Sequence, residues 1–296
     1  MELKPALTYE QQLQKLIVDH HLTVLNEAEA LQILKTVNYY RLSGYGIGLK
    51  QKNNQEWYQE GITLEKVYDI YCFDSLFKAT LIHSIEQIEI QLRTQIAYQL
   101  SMKYGAEAHM DPQNFRSKKN KDGIEIHQMI VDSFRAECKR QQNVPFVKHH
   151  IFQYHGHFPV WVAVELFTFG NLCSLYDIMQ QEDRIEVAKL YNTQPEHLAS
   201  WILALVEVRN ICAHYGRLYN MPLKQSPFLY VEHRKYRNQK QNKIFPVILV
   251  LKRILNSNSE WNHFYQSMVA IMEKYEDAIQ LSFMGFPSEW KNVLEQ

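Results

Sequence analysis

Apolar residues recur at three- and four-residue intervals over most of the chain, the spacing of one helix face. Residues 8–20 carry Leu13, Leu16 and Ile17 in that register. A second helix is predicted from Asn26, an N-cap with Glu29 three residues on in a capping-box pattern, and it runs through Leu31 and Leu34 into residues 38–45. Polar residues 51–61 end in Gly61 and read as a loop. After Thr63 no Gly or Pro occurs until Gly105, so the pattern predicts either one long paired helix or a break near Phe73-Asp74. Within this run Glu89 and Arg93 are spaced to pair along one face. Residues 111–123, with Pro112 and a basic run from Arg116 to Lys121, read as a solvated loop, and residues 124–142 as an amphipathic helix. Residues 145–159 read as a His-rich loop. Pro159 opens an apolar helix over 160–179, interrupted at Gly170. A short helix follows over 182–191, then one from Pro195 to about Leu218, ended by Pro222 and Pro227. Residues 244–255 are apolar and β-branched. Pro246 at a first-turn position and the helical surroundings favour helix there too, and residues 261–279 complete the set. No segment alternates with period two between turn pairs, so the fold class is all-α.

Composition sharpens this picture. In 296 residues there are 10 Gly and 9 Pro, each near 3%, which limits turns and favours long helices. At 46% hydrophobic the chain is too apolar to be disordered. No apolar run approaches the roughly 18 residues of a membrane span, and the first residues show no secretory h-region. Cys72, Cys138, Cys173 and Cys212 lie far apart without a C-x-x-C pair. They read as buried thiols of a reducing, cytoplasmic protein. The 32 Lys+Arg and 32 Asp+Glu sum to zero, which at first argues against nucleic acid. The distribution says otherwise. Residues 209–253 hold ten basic residues and one acid, Glu232, a net of +9, and the remainder carries 22 basic against 31 acidic. One basic face is therefore compatible with the balance.

Common enzyme signatures are absent: no G-x-x-x-x-G-K-[ST], no H-E-x-x-H and no G-x-S-x-G. Gly44-Tyr45-Gly46-Ile47-Gly48 lacks phosphate-loop spacing and reads as a flexible helix end. His149, His150, His155 and His157 fall within nine residues and offer metal-ligand chemistry, with polar surface as the plainer reading. The strongest constellation is Arg209-Asn210-Ile211-Cys212-Ala213-His214, late in an otherwise apolar helix. Asn210 and His214 share a face at i, i+4, with Arg209 about 140° round from His214 and Arg217 one turn on. A phosphate-binding fork, an amide and a titratable imidazole thus gather at one helix end.

An Arg followed by a polar residue and, four to six residues on, a His resembles the signature of HEPN ribonucleases. Residues 205–220 are similar to the "RN-CAH-x-x-RLWN" block of the Abi-like (AbiD/AbiF) abortive-infection family. Three more blocks agree in order: Asn38 to Tyr45 with "NYYRLSGY", residues 85–94 with the central helix, and Pro159 to Gly170 with "P-x-W-x-x-x-E…FG". Tyr215 stands where members often carry a second His, and Tyr219 where they carry Trp. The resemblance implies a HEPN-like helical bundle over 63–225, preceded by an N-terminal helical region over 1–62. Residues 226–296 match none of these blocks and are expected to form a C-terminal helical extension. It further implies antiphage defence by a metal-independent, usually dimeric endoribonuclease that needs no cofactor.

Cleavage by the neighbouring 2′-OH needs a base, an acid and a cation for the charged phosphorane. One His cannot comfortably serve twice, so the chemistry itself predicts a homodimer apposing two helix ends. Arg209, Asn210 and His214 are the expected catalytic residues, and Arg217, Asn220, Arg234, Lys235 and Arg237 the expected RNA contacts, with no metal ligand. Tyr39, Tyr40, Arg41 and Tyr45 are expected to pack and hydrogen-bond. Glu86, Glu89 and Glu165 are expected to partner buried Arg. A second reading stays open: a non-catalytic HEPN-type module binding a noncoding RNA or a partner protein, with Arg209 and His214 structural. A third is a metal-dependent nuclease built on the His149–His157 cluster.

Overall fold

Local capping decides where the first helices begin and end. In the computed structural model, which describes residues 5–237, 242–255 and 259–295, helix α1 (Tyr9–Val18) is closed by a reciprocal pair. The Thr8 hydroxyl accepts from the Gln11 N–H, and Gln11 Oε1 from the Thr8 N–H. At α2 (Glu27–Thr36) Asn26 accepts from the Ala28 and Glu29 N–H groups. Glu29 does not close the expected box. Glu65 does so from 39 residues away, accepting from the Asn26 N–H at 3.3 Å. The predicted continuation through residues 38–45 is also broken. Val37 is extended, and Asn38 caps a separate helix, α3 (Tyr39–Tyr45), by accepting from the Tyr40 N–H.

The long run resolves into one uninterrupted helix, α4 (Leu64–Tyr104), of 41 residues, about 60 Å at 1.5 Å per residue. Of the two sequence expectations the long paired helix holds, with no break at Phe73-Asp74. Its stripe Val67, Ile70, Phe73, Phe77, Leu81, Ile85, Ile88, Leu92 and Ile96 is buried. Helices packed on several sides supply the stability that a lone helix of this length lacks.

Around this axis stand α5 (Ile126–Arg140), α6 (Pro145–Gln153), α7 (Val160–Ala163), α8 (Phe169–Ile178), α9 (Gln181–Lys189) and α10 (Pro195–Ala213). Then follow α11 (Phe245–Leu255), α12 (Ser259–Lys274) and α13 (Trp290–Glu295). Residues 145–153 are therefore helix rather than loop, with Pro145 in the first turn. The break between α7 and α8 falls at extended Phe167, not Gly170; Thr168 caps α8 and Gly170 lies inside it. The β-branched stretch at 245–255 is helical and almost wholly buried. It packs on α10, α12 and α4, so fit among helices prevails over local strand preference. Core residues from Leu13 to Leu294 form one hydrophobic cluster, which the C-terminal helices share.

Among the described residues thirteen α-helices occur with only isolated β-bridges and no strand, so the fold is all-α. No described helix is long and apolar enough to cross a membrane. The Gly44–Gly48 segment is not a flexible end. A Cβ on Gly46 would lie 2.3 Å from the buried Tyr58 hydroxyl, so close packing demands glycine there.

Candidate active site at the C-terminal end of α10

Helix α10 stops at Ala213, not near Leu218, and a turn with two defined hydrogen bonds ends it. His214 is the C-cap, Tyr215 is left-handed at φ 56°, the Gly216 N–H donates to Ile211 O and the Tyr215 N–H to Cys212 O. This is a Schellman arrangement with Tyr at the position usually given to Gly. A non-glycine residue there is strained by about 1 kcal/mol and persists only where its surroundings over-determine it.

Those surroundings reach far along the chain. Arg41 of α3 donates to Tyr215 O at 2.6 Å, and Lys78 of α4 donates to Gly216 O at 2.6 Å. Behind them stands Asp74, fully buried. Its Oδ1 accepts from the Leu218 and Tyr219 N–H groups at 3.1 and 2.7 Å. Its Oδ2 accepts from the Tyr45 hydroxyl at 2.7 Å and pairs with Lys78 at 2.9 Å. Burial, and then the Asp74 charge beside it, push the Tyr45 phenol far above its usual range, so it stays a donor. The Asn38–Tyr45 block is thus the buttress of the turn carrying His214. Tyr39 hydrogen-bonds His20, while Tyr40 is 86% exposed.

Arg209 sits one and a half turns before His214. Its Nε lies 3.5 Å from Glu89, a buried carboxylate of α4 that also binds Arg93, and its Nη1 donates weakly to Asn210 Oδ1 at 3.3 Å. Arg93 in turn donates to Val164 O. One carboxylate between two guanidiniums leaves a local net positive charge, with Arg209 about a third exposed. Helices α4 and α10 run antiparallel, Arg209 meeting Glu89 and Gly216 meeting Lys78. Asn210 and His214 are exposed, and the His214 ring has no hydrogen bond or ion pair within the described residues. Glu89 therefore acts as an Arg partner, whereas Glu86 and Glu165 lie exposed.

A family model for Abi-like proteins matches residues 32–220, well over half of the chain. The chain belongs to the Abi-like protein family. Membership connects it to abortive infection, a form of phage defence. No curated protein and no solved structure matches the chain. The matched region of this Abi-like chain ends at Asn220, one residue past the backbone that Asp74 holds, so family and buttress share a boundary.

The other expected RNA contacts divide into two places. Arg217 and Asn220 lie on the buttressed turn. Arg217 stands over the Tyr45 ring, and Asn220 is left-handed at φ 53°, its Oδ1 accepting from Lys243 at 3.4 Å. Arg234, Lys235 and Arg237 lie elsewhere. Lys235 lines a cavity of about 730 Å³ with Trp201, Tyr230 and Arg253. Trp201 precedes His214 by thirteen residues, about 20 Å along a helix. Arg237 stacks on Phe228 and donates to Ser226 O, and Arg234 is exposed. The basic stretch is therefore not gathered at His214, and Lys240 lies outside the described residues.

The four His do not gather into one ligand set, although the His149 and His150 ring centroids lie 5.4 Å apart. His149 and His150 sit on α6, with His150 stacked on Phe158, while His155 is left-handed and His157 bonds Glu107. Among the described residues no three His, Cys, Asp or Glu side chains converge to hold a metal. Sequence reasoning missed Asp74 and Lys78. Their signal was present as two charges, i and i+4, on the apolar stripe of α4.

Proposed function

We propose that this Abi-like protein is an endoribonuclease that cuts RNA by attack of the 2′-OH on the adjacent phosphorus. The 2′ oxygen–phosphorus bond forms as the bond to the 5′ oxygen breaks. A base takes the 2′ proton, and an acid protonates the departing oxygen. The products are a 2′,3′-cyclic phosphate and a 5′ hydroxyl. Arg209 neutralises the charged phosphorane, His214 moves protons, and Asn210 orients phosphate or imidazole. Two copies of the α10 end, apposed in a homodimer, provide the base and the acid.

The observation carrying this reading is a solvent-facing, unpartnered His214 on a turn clamped from α3 and α4, with Arg209 held one and a half turns away. Such rigidity is what pre-positioned proton transfer requires. The test is incubation of purified protein with RNA in excess chelator, reading the end chemistry. The expected result is cyclic-phosphate ends from the parent and a loss of 100-fold or more in His214→Ala. Equal cutting by His214→Ala refutes the assignment.

One observation favours the binding-module reading: Arg209 is already engaged by buried Glu89. On that reading the parent binds RNA or a partner protein without cutting, and His214→Ala binds as the parent does.

A further inference from the structure

Between α3 and the turn after His214 lies a cavity of about 830 Å³, within the span of small-ligand sites. Among the described residues three cations line it, Arg41, Lys50 and Arg217, and no carboxylate does. In a chain with equal numbers of acids and bases that is a local choice, not a bias of composition. Among the described residues none of the three forms an ion pair with a carboxylate. The buried acid behind the turn, Asp74, is saturated by Tyr45, Lys78 and two backbone N–H groups.

Arg217 is the most telling of the three. Its guanidinium lies over the Tyr45 ring and against the Met221 sulfur, and its Nη1 is buried with no hydrogen-bond partner. Burial disfavours its charged form, and its proximity adds to the desolvation that lowers the pKa of Lys243. A guanidinium with no anionic partner among the described residues and one buried N–H group unsatisfied, beside two further cations, is a charge surplus that an anion relieves. At the rim stand the rings of Tyr40, 86% exposed, and Tyr215, 74% exposed. Solvent-facing tyrosines next to phosphate-binding cations match a nucleotide, whose base stacks while its phosphate is held.

We propose that this pocket binds a nucleotide phosphate through Arg41, Lys50 and Arg217, with the base stacked on Tyr40 or Tyr215. The phosphate belongs either to a free nucleotide or to one unit of an RNA strand. Occupancy needs no cleavage by Arg209 and His214, so the pocket stands or falls separately from the proposed reaction. Because Tyr215 and Gly216 line it, a bound phosphate lies against the turn that carries His214.

Calorimetric titration of the full chain with AMP, adenosine and a 5′-phosphorylated 2′-O-methyl trinucleotide, which 2′-OH attack cannot cut, tests this. The phosphorylated probes are expected to bind at least tenfold tighter than adenosine, with affinity falling as salt rises. Lys50→Gln and Arg217→Gln are each expected to weaken phosphate binding about tenfold, and Tyr40→Leu to weaken it several-fold. Lys50 is only partly buried and, among the described residues, forms no ion pair, its Nζ lying 5.3 Å over the Tyr58 ring, so its variant keeps the fold should Arg217→Gln not. Tight AMP binding identifies a free nucleotide, and binding of the trinucleotide alone identifies an RNA unit. Adenosine binding as tightly as AMP, no binding by any probe, or Lys50→Gln matching the parent overturns the proposal.

Discussion

Asp74→Ala is the substitution that most directly tests the buttress. Removing this fully buried carboxylate leaves Lys78 without its counter-ion, and the Tyr45 hydroxyl and the Leu218 and Tyr219 N–H groups without an acceptor. Three buried donors stripped of their acceptor cost about 1 kcal/mol each at the least, or about 3 kcal/mol together. Breaking one side of a buried ion pair gives about 3–5 kcal/mol by an independent route. The two ranges overlap, so a loss of about 3–5 kcal/mol is expected. That is a large part of the roughly 5–15 kcal/mol that domains possess. Urea unfolding followed by circular dichroism at one fixed protein concentration measures it. Asp74→Asn, which keeps an acceptor for the two N–H groups, should lose less. Asp74→Ala with Lys78→Met should fall short of the sum of the single changes by about 1 kcal/mol or more, since both act on one pair. A loss below about 1 kcal/mol for Asp74→Ala, or strict additivity with Lys78→Met, refutes the view that this carboxylate holds the turn.

Three further outcomes follow from the same geometry. Glu89→Gln keeps the shape of the Arg209 partner but removes its charge, and on the proposed reaction should lower RNA cleavage about tenfold while His214 stays in place; an unchanged rate separates Arg209 from that reaction. His109 is buried with both ring nitrogens unpartnered, and burial pulls its pKa down to about 4, so the unfolded chain binds the extra proton between about 6.5 and 4. Stability should therefore fall by about 3 kcal/mol as pH drops through that window, and His109→Leu should flatten this part of the urea-midpoint profile. Gly46→Ala forces a Cβ to within 2.3 Å of the Tyr58 hydroxyl and should cost about 1–3 kcal/mol, whereas Gly44→Ala meets Arg217 at an ordinary 3.8 Å and should be neutral or stabilising in thermal melts.

Much of the fold was legible because period and capping are local. Thr63, Asn26 and the Gly- and Pro-free run to Gly105 announce their helices within a few residues of sequence. The end of α10 was not legible, because Tyr215 adopts a left-handed conformation that its own identity disfavours and that Arg41, 174 residues distant, supports. The end of α2 was hidden likewise: Asn38 reads as a mid-helix residue unless Val37 is known to be extended. At the site, Arg209, Asn210 and His214 stand out by spacing alone. Their supports, Glu89, Asp74 and Lys78, lie on another helix, and only the fold shows which charges meet. The separate location of Lys235 and Trp201 has the same cause, since a run of basic residues along the chain does not specify where the chain turns.

The buttress also dictates an order of assembly. Its contacts span 174 residues from Arg41 to Tyr215, 145 from Asp74 to Tyr219 and 138 from Lys78 to Gly216. Loops of that length close late, because chain entropy must be overcome before any contact forms. A growing polypeptide on the ribosome holds the α3 and α4 half of the clamp long before the residues it grips have been synthesised. The His214 turn is consequently set only after residue 219 emerges, so whatever chemistry that turn carries is withheld through most of the chain's own translation.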